Sequence, residues 1–358
     1  MTVRVAIFGA GSIGGYVGGR LTQSGVDVVL IDAWSEHVSA MRTQGLRLTN
    51  EHGTETVKVR CSHISELQGP QASKIDLAIL SVKSYETLWM THLIKSCLHP
   101  GGIVLSMQNG MNDQDISCVV GTDRVLGCTL TRLGTELVSP GHIHRWLDAP
   151  TKDYPVFRVG ELHGRISKRV SDTVELLSSV NKAVSTPNIT GERWAKLAQN
   201  AMVSGISPLT NQSITELFAS PRMLQTMARL VREAVIVGEA LGYSLENICG
   251  IEPQTWRDQA ECVRGEEFDA RLSLWRRNMG DGGQPSTLHD IRRGRRTEID
   301  SINGLIARRA REVGVPAPMH AFLCEQVHRR EIEGGGYQPV SEEALVLSLA
   351  HASSQKIY

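Results

Sequence analysis

The chain lacks an excess of charge of either sign. Its 358 residues carry 38 Lys plus Arg against 38 Asp plus Glu, a formal net charge of zero. A chain so balanced has no global attraction for nucleic acid or for an anionic membrane. It also lacks paired cysteines. The seven, Cys61, Cys97, Cys118, Cys128, Cys249, Cys262 and Cys324, are odd in number and scattered, with no CxxC. That argues against a disulfide framework and reads as free thiols in a reducing compartment. No hydrophobic run approaches the roughly 20 residues that a membrane span needs. The apolar start over residues 1–8 is too short for a signal core, and the glycines of 9–15 break it. The expected location is therefore the cytoplasm. Internal repeats and low-complexity tracts are absent as well.

What remains is an ordinary globular composition, 41% hydrophobic and 21% charged. At about 150 residues per domain, the length suggests two domains. Residues 3–8 read as a short buried strand, 13–24 as a helix closed by Gly25, and 26–32 as a second, almost wholly apolar strand. Strand, helix and strand in so short a stretch make a βαβ unit, which builds parallel sheets. Residues 46–49 and 56–59 flank a His52-Gly53 turn as a hairpin. The runs 75–82, 102–107, 125–129, 141–146 and 156–160 continue the β pattern. Beyond about residue 190 helices are expected at 192–203, 221–241, 253–277, 286–293, 298–313 and 319–333, with loops at 280–285 and 334–339. The expected fold is α/β, an N-terminal Rossmann-type dinucleotide-binding domain (1–190) followed by an all-helical domain (191–358) for substrate and dimerisation. The apolar 223–241 helix is the candidate face of a homodimer.

Gly9-Ala10-Gly11-Ser12-Ile13-Gly14 is a GxGxxG that follows a strand and opens a helix. Gly9 permits the tight turn, Gly11 lets a pyrophosphate approach the backbone, and Gly14 lets helix and strand pack closely. Ser12 and Ile13 begin the helix whose positive end faces the phosphates. Asp32 ends the second strand, where an acid accepts hydrogen bonds from the adenosine ribose hydroxyls. No Arg or Lys stands between positions 33 and 40 to offset a 2′-phosphate. The pattern therefore favours NAD, with NADP second.

Further segments carry a family resemblance. Val82-Lys83-Ser84-Tyr85-Glu86-Thr87, Gln108-Asn109-Gly110, Trp194-Ala195-Lys196-Leu197-Ala198-Gln199-Asn200, Ser286-Thr287-Leu288-His289-Asp290 and Thr297-Glu298-Ile299-Asp300-Ser301-Ile302-Asn303-Gly304 follow the fingerprint in order. Together they resemble the ketopantoate reductase (2-dehydropantoate 2-reductase) family. The resemblance implies a nicotinamide-dependent oxidoreductase that reduces a 2-keto acid to a 2-hydroxy acid, with the site in the cleft between its domains. It implies Lys196 as proton donor and Glu298 as its partner. It implies Asn200 and Ser286 at the substrate, Asn109 at the nicotinamide and substrate, and Lys83 near the adenosine end. The residues agree on their own terms. Lys196 and Asn200, four apart on a helix, share a face. A Lys in a cleft has its pKa lowered and can protonate a developing alkoxide.

One departure stands out. Where the family has a second Asn four residues after the one matching Asn200, followed by Pro-Leu, this chain has Ser204. Pro208-Leu209-Thr210 come three residues late, behind Ser207. Either serine can stand for the missing amide. The change predicts that ketopantoate is a poorer substrate than a less polar 2-keto acid, because polar sites reject ligands that leave groups unpaired. The alternatives are an NAD-linked dehydrogenase of a branched or aromatic 2-hydroxy acid, and a non-catalytic NAD sensor. No metal is expected. His142 and His144 share one face of a strand but have no third ligand at a recognised spacing, and Cys61-Ser62-His63 is no better. The basic cluster Arg292, Arg293, Arg295 and Arg296 reads as a solvated helix end or as attraction for an anionic substrate. It is too short, and too poor in aromatic neighbours, for nucleic acid.

Overall fold

The computed structural model describes residues 3–67, 75–259, 266–278, 283–333 and 338–354. The chain divides into two compact units, Met1–Ile189 and Thr190–Tyr358. No described helix is long and apolar enough to cross a membrane. The six described cysteines are free thiols; Cys262 lies outside the described residues, as do residues 260–265 of the helix expected over 253–277 and residues 280–282 and 334–337 of the expected loops.

The first unit runs β1 (Val5–Phe8), α1 (Ser12–Gln23), β2 (Val28–Asp32), α2 (Ser35–Gln44), β3 (Leu46–Asn50), β4 (Gly53–Val57), β5 (Arg60–His63), β6 (Ile75–Leu80), α3 (Thr87–Cys97), β7 (Leu98–Ser106), α4 (Asp113–Val120), β8 (Val125–Leu130), β9 (Gly134–Ser139), β10 (His142–Leu147), β11 (Phe157–Glu161), α5 (Lys168–Ser178) and β12 (Ala183–Ser185). Eight strands form one sheet in the order β12-β11-β8-β7-β6-β1-β2-β5. Its ladders are parallel except β11 against β8. The chain moves outward from β1 through β2 to β5, then returns to β6 on the other side of β1. The carboxyl ends of β1 and β6 therefore flank the point where strand order reverses, which is where open α/β sheets bind ligands. The expected hairpin forms between β3 and β4, with Asn50 opposite Gly53, so its second strand starts before the predicted 56. It belongs to a second sheet, β4-β3-β10-β9.

Helix α1 lies between the two sheets, and its glycines explain how. A Cβ on Gly18 would stand 2.1 Å from Leu30 Cδ2, and one on Gly15 would stand 2.5 Å from Ile143 Cδ1. Each helical glycine costs about 1 kcal/mol relative to alanine. Forcing extra methyl groups into a packed core costs about 1–3 kcal/mol apiece, so the glycines are the less costly choice here.

The second unit is helical apart from its loops. It comprises α6 (Ile189–Ser204), α7 (Ile206–Thr210), α8 (Ile214–Ala219), α9 (Pro221–Ala240), α10 (Pro253–Gln259), α11 (Glu266–Asn278), α12 (Ser286–Arg292), α13 (Asn303–Glu312), α14 (Pro318–Glu333) and α15 (Glu342–Ser354). Two expectations are corrected. The helix expected to begin at Glu298 begins at Asn303; residues 299–301 form a separate 3-10 turn, with Glu298 before it. The apolar stripe of α9 is not an open dimer face. Met223, Met227, Leu230, Val231, Ala234, Val235 and Val237 are at most 2% exposed within a single chain. Helix α9 is the buried axis of its own unit, packed against α8, α10, α13, α14 and α15.

Candidate active site

The glycine loop is pinned from both sides at Ala10. Its N–H donates to Asp32 Oδ2 at 2.7 Å, and its carbonyl meets His37 Nε2 at 2.9 Å. His37 is fully buried, and its Nδ1 accepts from the Gly141 N–H at 2.9 Å. That pair of bonds requires the neutral ring with the proton on Nε2. Gly9 takes φ +93°, and a Cβ there would stand 2.8 Å from Val82. A Cβ on Gly14 would stand 2.0 Å from Gly9 O, whereas one on Gly11 meets nothing within 4 Å. Gly11 therefore borders open space, and the first-turn N–H groups of Ser12, Ile13 and Gly14 have no acceptor within the helix. Such a cradle fits a pyrophosphate.

Asp32 ends β2 beside the glycine loop. Its second oxygen accepts from the Trp34 N–H at 2.9 Å, which leaves lone pairs for ribose hydroxyls. His63, paired with Asp32 across the β2–β5 ladder, meets the Ala33 carbonyl through Nε2 at 3.0 Å and accepts from the Ser65 N–H at Nδ1. Arg42 is turned to Glu66 and the Cys61 carbonyl.

Lys83 and Asn109 follow β6 and β7, and side chains lace their loops together. Ser84 Oγ donates to the Asn109 carbonyl at 3.0 Å. Asn112 Nδ2 donates to the same carbonyl at 2.9 Å and to Ser84 Oγ at 3.2 Å. Gln108 Nε2 donates to the Val82 carbonyl at 3.0 Å and to Thr87 Oγ1 at 2.9 Å. The resemblance pointed to Lys83 and Asn109, with Thr87 in the same segment; the supporting Asn112, and the bond from Gln108 to Thr87, emerge only when β6 and β7 stand side by side.

Arg132, two residues beyond β8 at the same sheet edge, was not anticipated. It holds φ +60°, a left-handed conformation uncommon for a side chain of its bulk. Its guanidinium lies 5.9 Å from the Tyr154 ring centroid. Nη1 is enclosed with no hydrogen-bond partner among the described residues, and burial pulls the guanidinium pKa below its usual value. No sequence motif marks it; its signals are the strained backbone and the unpaired buried donor.

In the second unit α6 carries Lys196, Asn200 and Ser204 at i, i+4 and i+8, one face of one helix. Trp194 sets the roll of α6 by donating from Nε1 to the Ala234 carbonyl of α9 at 2.8 Å. Lys196 lies within electrostatic reach of Cys249, a fully buried thiol whose pKa burial pushes up and the Lys196 ammonium opposes. Thr287 Oγ1 donates to the Ser204 carbonyl at 2.9 Å, which draws the start of α12, with Ser286, to the end of α6. Asn303 Nδ2 donates to the Ala201 carbonyl at 3.0 Å, which fastens the segment after the Glu298 turn to the same helix. Glu298 is 5% exposed, and Ser286 is exposed. Ser207 is spent elsewhere, since its hydroxyl donates to the Gln212 carbonyl at 2.5 Å on α7. Ser204 is therefore the serine on the Lys196 face. The paired histidines of β10 both meet Thr49 Oγ1, each at 3.0 Å. Arg292 turns to Asn211 and Gln284, and Arg296 to Asp300.

Comparison with known proteins accords with this geometry. The model of the ketopantoate reductase PanE/ApbA family matches residues 5–152, and that of its C-terminal part matches residues 188–331. The 2-dehydropantoate 2-reductase of Archaeoglobus fulgidus is 27% identical over 334 residues, 93% of this chain and 98% of that one. Among solved structures, a PanE/ApbA family ketopantoate reductase from Ralstonia eutropha superposes with TM-score 0.75 at 26% identity, covering 92% of this chain and 99% of the other. D-mandelate dehydrogenase with NADH and anilino(oxo)acetate superposes with TM-score 0.79 at 24% identity, with the same coverage. With the fingerprint, the five ordered segments and both halves matched, the chain belongs to the ketopantoate reductase family and is a nicotinamide-dependent oxidoreductase acting on the CH–OH/C=O pair.

Proposed function

We propose that the chain reduces a 2-keto acid to the corresponding 2-hydroxy acid, with NADH as the preferred donor. The observation that carries the reading is the face of α6. A cation, an amide and a hydroxyl stand one turn apart there, on a helix bonded to the elements that bear Ser286 and Glu298. The nicotinamide supplies the hydride. Lys196 donates a proton to the C2 oxygen as charge develops on it, since a site closed to water needs a positioned donor. Glu298 holds the Lys196 side chain. Asn109, Asn200 and Ser286 orient the substrate. Arg132 supplies the positive charge facing the C1 carboxylate, a guanidinium being shaped for two-pronged recognition of that group. The names of the relatives favour reduction over the dehydrogenase and sensor readings.

For the cofactor, Gly9, Gly11, Ser12, Ile13 and Gly14 cradle the pyrophosphate, Asp32 takes the ribose hydroxyls, and Lys83 lies toward the adenosine. A 2′-phosphate would meet the Asp32 carboxylate, while the nearby Arg42 is already turned to Glu66 and the Cys61 carbonyl, at a cost of about 1–3 kcal/mol at a partly exposed site. Ser204, shorter than an amide, fits a substrate end less polar than that of ketopantoate. Steady-state kinetics over a panel of 2-keto acids, with NADH and with NADPH, tests both points. We expect kcat/KM to be at least tenfold higher with NADH, and a less polar keto acid to outperform ketopantoate. A tenfold preference for NADPH would show that Asp32 does not set cofactor choice. Ketopantoate at the head of the panel would remove the role given to Ser204.

A further inference from the structure

The second unit holds a group of side chains that the reaction does not use. Cys324 and His328 stand four residues apart on α14, and so on one face of it. The 3-10 turn at Ile299–Ser301 presents Asp300 to that face. Asp300 Oδ1 lies 2.9 Å from His328 Nε2 and 3.8 Å from Cys324 Sγ, and the three ligand atoms lie within 4.8 Å of one another. From these juxtaposed atoms we propose that Asp300, Cys324 and His328 form a binding site for a borderline-soft divalent cation, zinc by preference, with a fourth position open to water.

The donor set decides the metal. A thiolate, an imidazole and a carboxylate suit zinc, whereas magnesium and calcium take oxygen ligands. Zinc holds S at about 2.3 Å, N at about 2.0–2.1 Å and O at about 2.0–2.2 Å in a tetrahedron. The corresponding tetrahedral edges are about 3.6 Å from S to O and about 3.4 Å from N to O. The 3.8 Å separation needs a shift of about 0.2 Å and the 2.9 Å one must widen by about half an ångström, while the sulfur and the imidazole nitrogen lie within 4.8 Å of each other. Both contacts fall on the same oxygen, because Arg296 Nη2 lies 3.4 Å from Oδ2 and turns the carboxylate. That is how outer groups usually orient a ligand. A Cβ on Gly304 would stand 3.0 Å from the sulfur, so the start of α13 backs the site. On the other side the Asp300 and His328 side chains are 45% and 41% exposed, which leaves an entry path. The carboxylate of Glu331 and the guanidinium of Arg308 act on the sulfur with opposite signs. On binding, the metal replaces the thiol proton, which passes to solvent, and the Sγ–H to Asp300 contact becomes two metal–ligand bonds.

The full chain, stripped with chelator and desalted, is titrated with Co²⁺ and then with Zn²⁺. One equivalent of Co²⁺ should raise a thiolate charge-transfer band in the near ultraviolet together with tetrahedral ligand-field bands, and Zn²⁺ should abolish both. Cys324→Ser should remove the charge-transfer band, and His328→Gln should weaken binding at least tenfold, the low end of what even outer-shell changes cost. Zinc should raise the Tm of the parent protein but not of either variant. Cys118→Ser, which alters an exposed thiol, should leave every signal in place. A band that survives Cys324→Ser, a band lost in Cys118→Ser, or no stoichiometric uptake would each overturn the site and leave an ordinary His–Asp ion pair. Should Cys324→Ser fail to fold, the half-exposed His328→Gln decides alone.

Discussion

At the scale of single residues, the site is read from what each polar group has left to bind. Asp32 is partly committed to the glycine loop through the Ala10 and Trp34 N–H groups, yet keeps acceptor capacity for two hydroxyls. Of the two serines that could replace the missing amide, Ser207 is engaged with Gln212, which leaves Ser204. Arg132 is the opposite case, a buried donor with an unsatisfied Nη1 and a strained backbone. Such a group costs stability and persists when a ligand completes it. If it pairs with the substrate carboxylate, Arg132→Gln forfeits a charge-assisted bond of about 1.5–3 kcal/mol. The KM for a 2-keto acid should then rise about 10–100-fold, while the dissociation constant of NADH stays put. Equal KM values in variant and parent would assign Arg132 to structure alone.

At the scale of elements, two glycines about one turn apart, Gly11 capping α1 and Gly14 in its first turn, should behave in opposite ways. Gly14→Ala places a methyl 2.0 Å from the Gly9 carbonyl, so it should lower Tm and abolish NADH binding together. Gly11→Ala meets no protein atom within 4 Å, so Tm without cofactor should hold while NADH affinity falls. Thermal melts beside fluorescence titrations separate the two; a Gly11→Ala protein that binds NADH normally would move the pyrophosphate elsewhere. The junction of α9 and α14 carries a pH dependence. Glu233 accepts from the Met319 and His320 N–H groups at the start of α14, and burial pushes its carboxyl up to about 8. His320 meets the Leu230 carbonyl through Nε2 and Asn303 Nδ2 through Nδ1, and burial holds it down to about 4. A carboxyl raised in the folded state binds its proton more tightly there, so its contribution declines as pH rises from about 4.5 to about 8. A histidine lowered in the folded state works the other way, and stability is lost as pH falls from about 6.5 to about 4. The Tm of the parent relative to Glu233→Gln should therefore drop steadily between pH 5 and 8. A flat difference would mean that Glu233 stays charged when folded.

At the scale of the molecule, the residues proposed for cofactor and for proton transfer belong to different units. Gly9, Gly11, Gly14 and Asp32 belong to the first, and Lys196, Asn200 and Glu298 to the second. Affinity for cofactor and rate of proton transfer should then be separable. Lys196→Ala should lower kcat about 10²–10⁴-fold, the range for loss of a general acid, with NADH affinity nearly unchanged. Near-normal kcat would assign the proton to another donor. Collapse of NADH affinity would make Lys196 a cofactor contact or a structural residue.

By itself the sequence determined the βαβ start, the glycine cradle, Asp32 at a strand end and the helical second half, because these rest on local periodicity and on spacings within a turn or two. The ordered segments around Lys83, Asn109, Lys196, Ser286 and Glu298 were legible by their likeness to a family. Edge strands were not: β5 and β12 are four and three residues long, too short to show a period, and gain strand form only from a neighbour's ladder. The start of α13 slipped from Glu298 to Asn303 because residues 299–301 close a separate 3-10 turn and Ile302 leaves the helical conformation at φ −112°, ψ −93°, with Asn303 then bonded to Ala201, some 100 positions earlier in the chain. Burial of the α9 stripe inside its own unit, the pinning of Ala10 by His37, the enclosed Nη1 of Arg132 and the meeting of Asp300 with Cys324 and His328 were likewise decided in three dimensions. Each depends on contacts between residues distant in sequence, and only the packed chain brings such residues within reach.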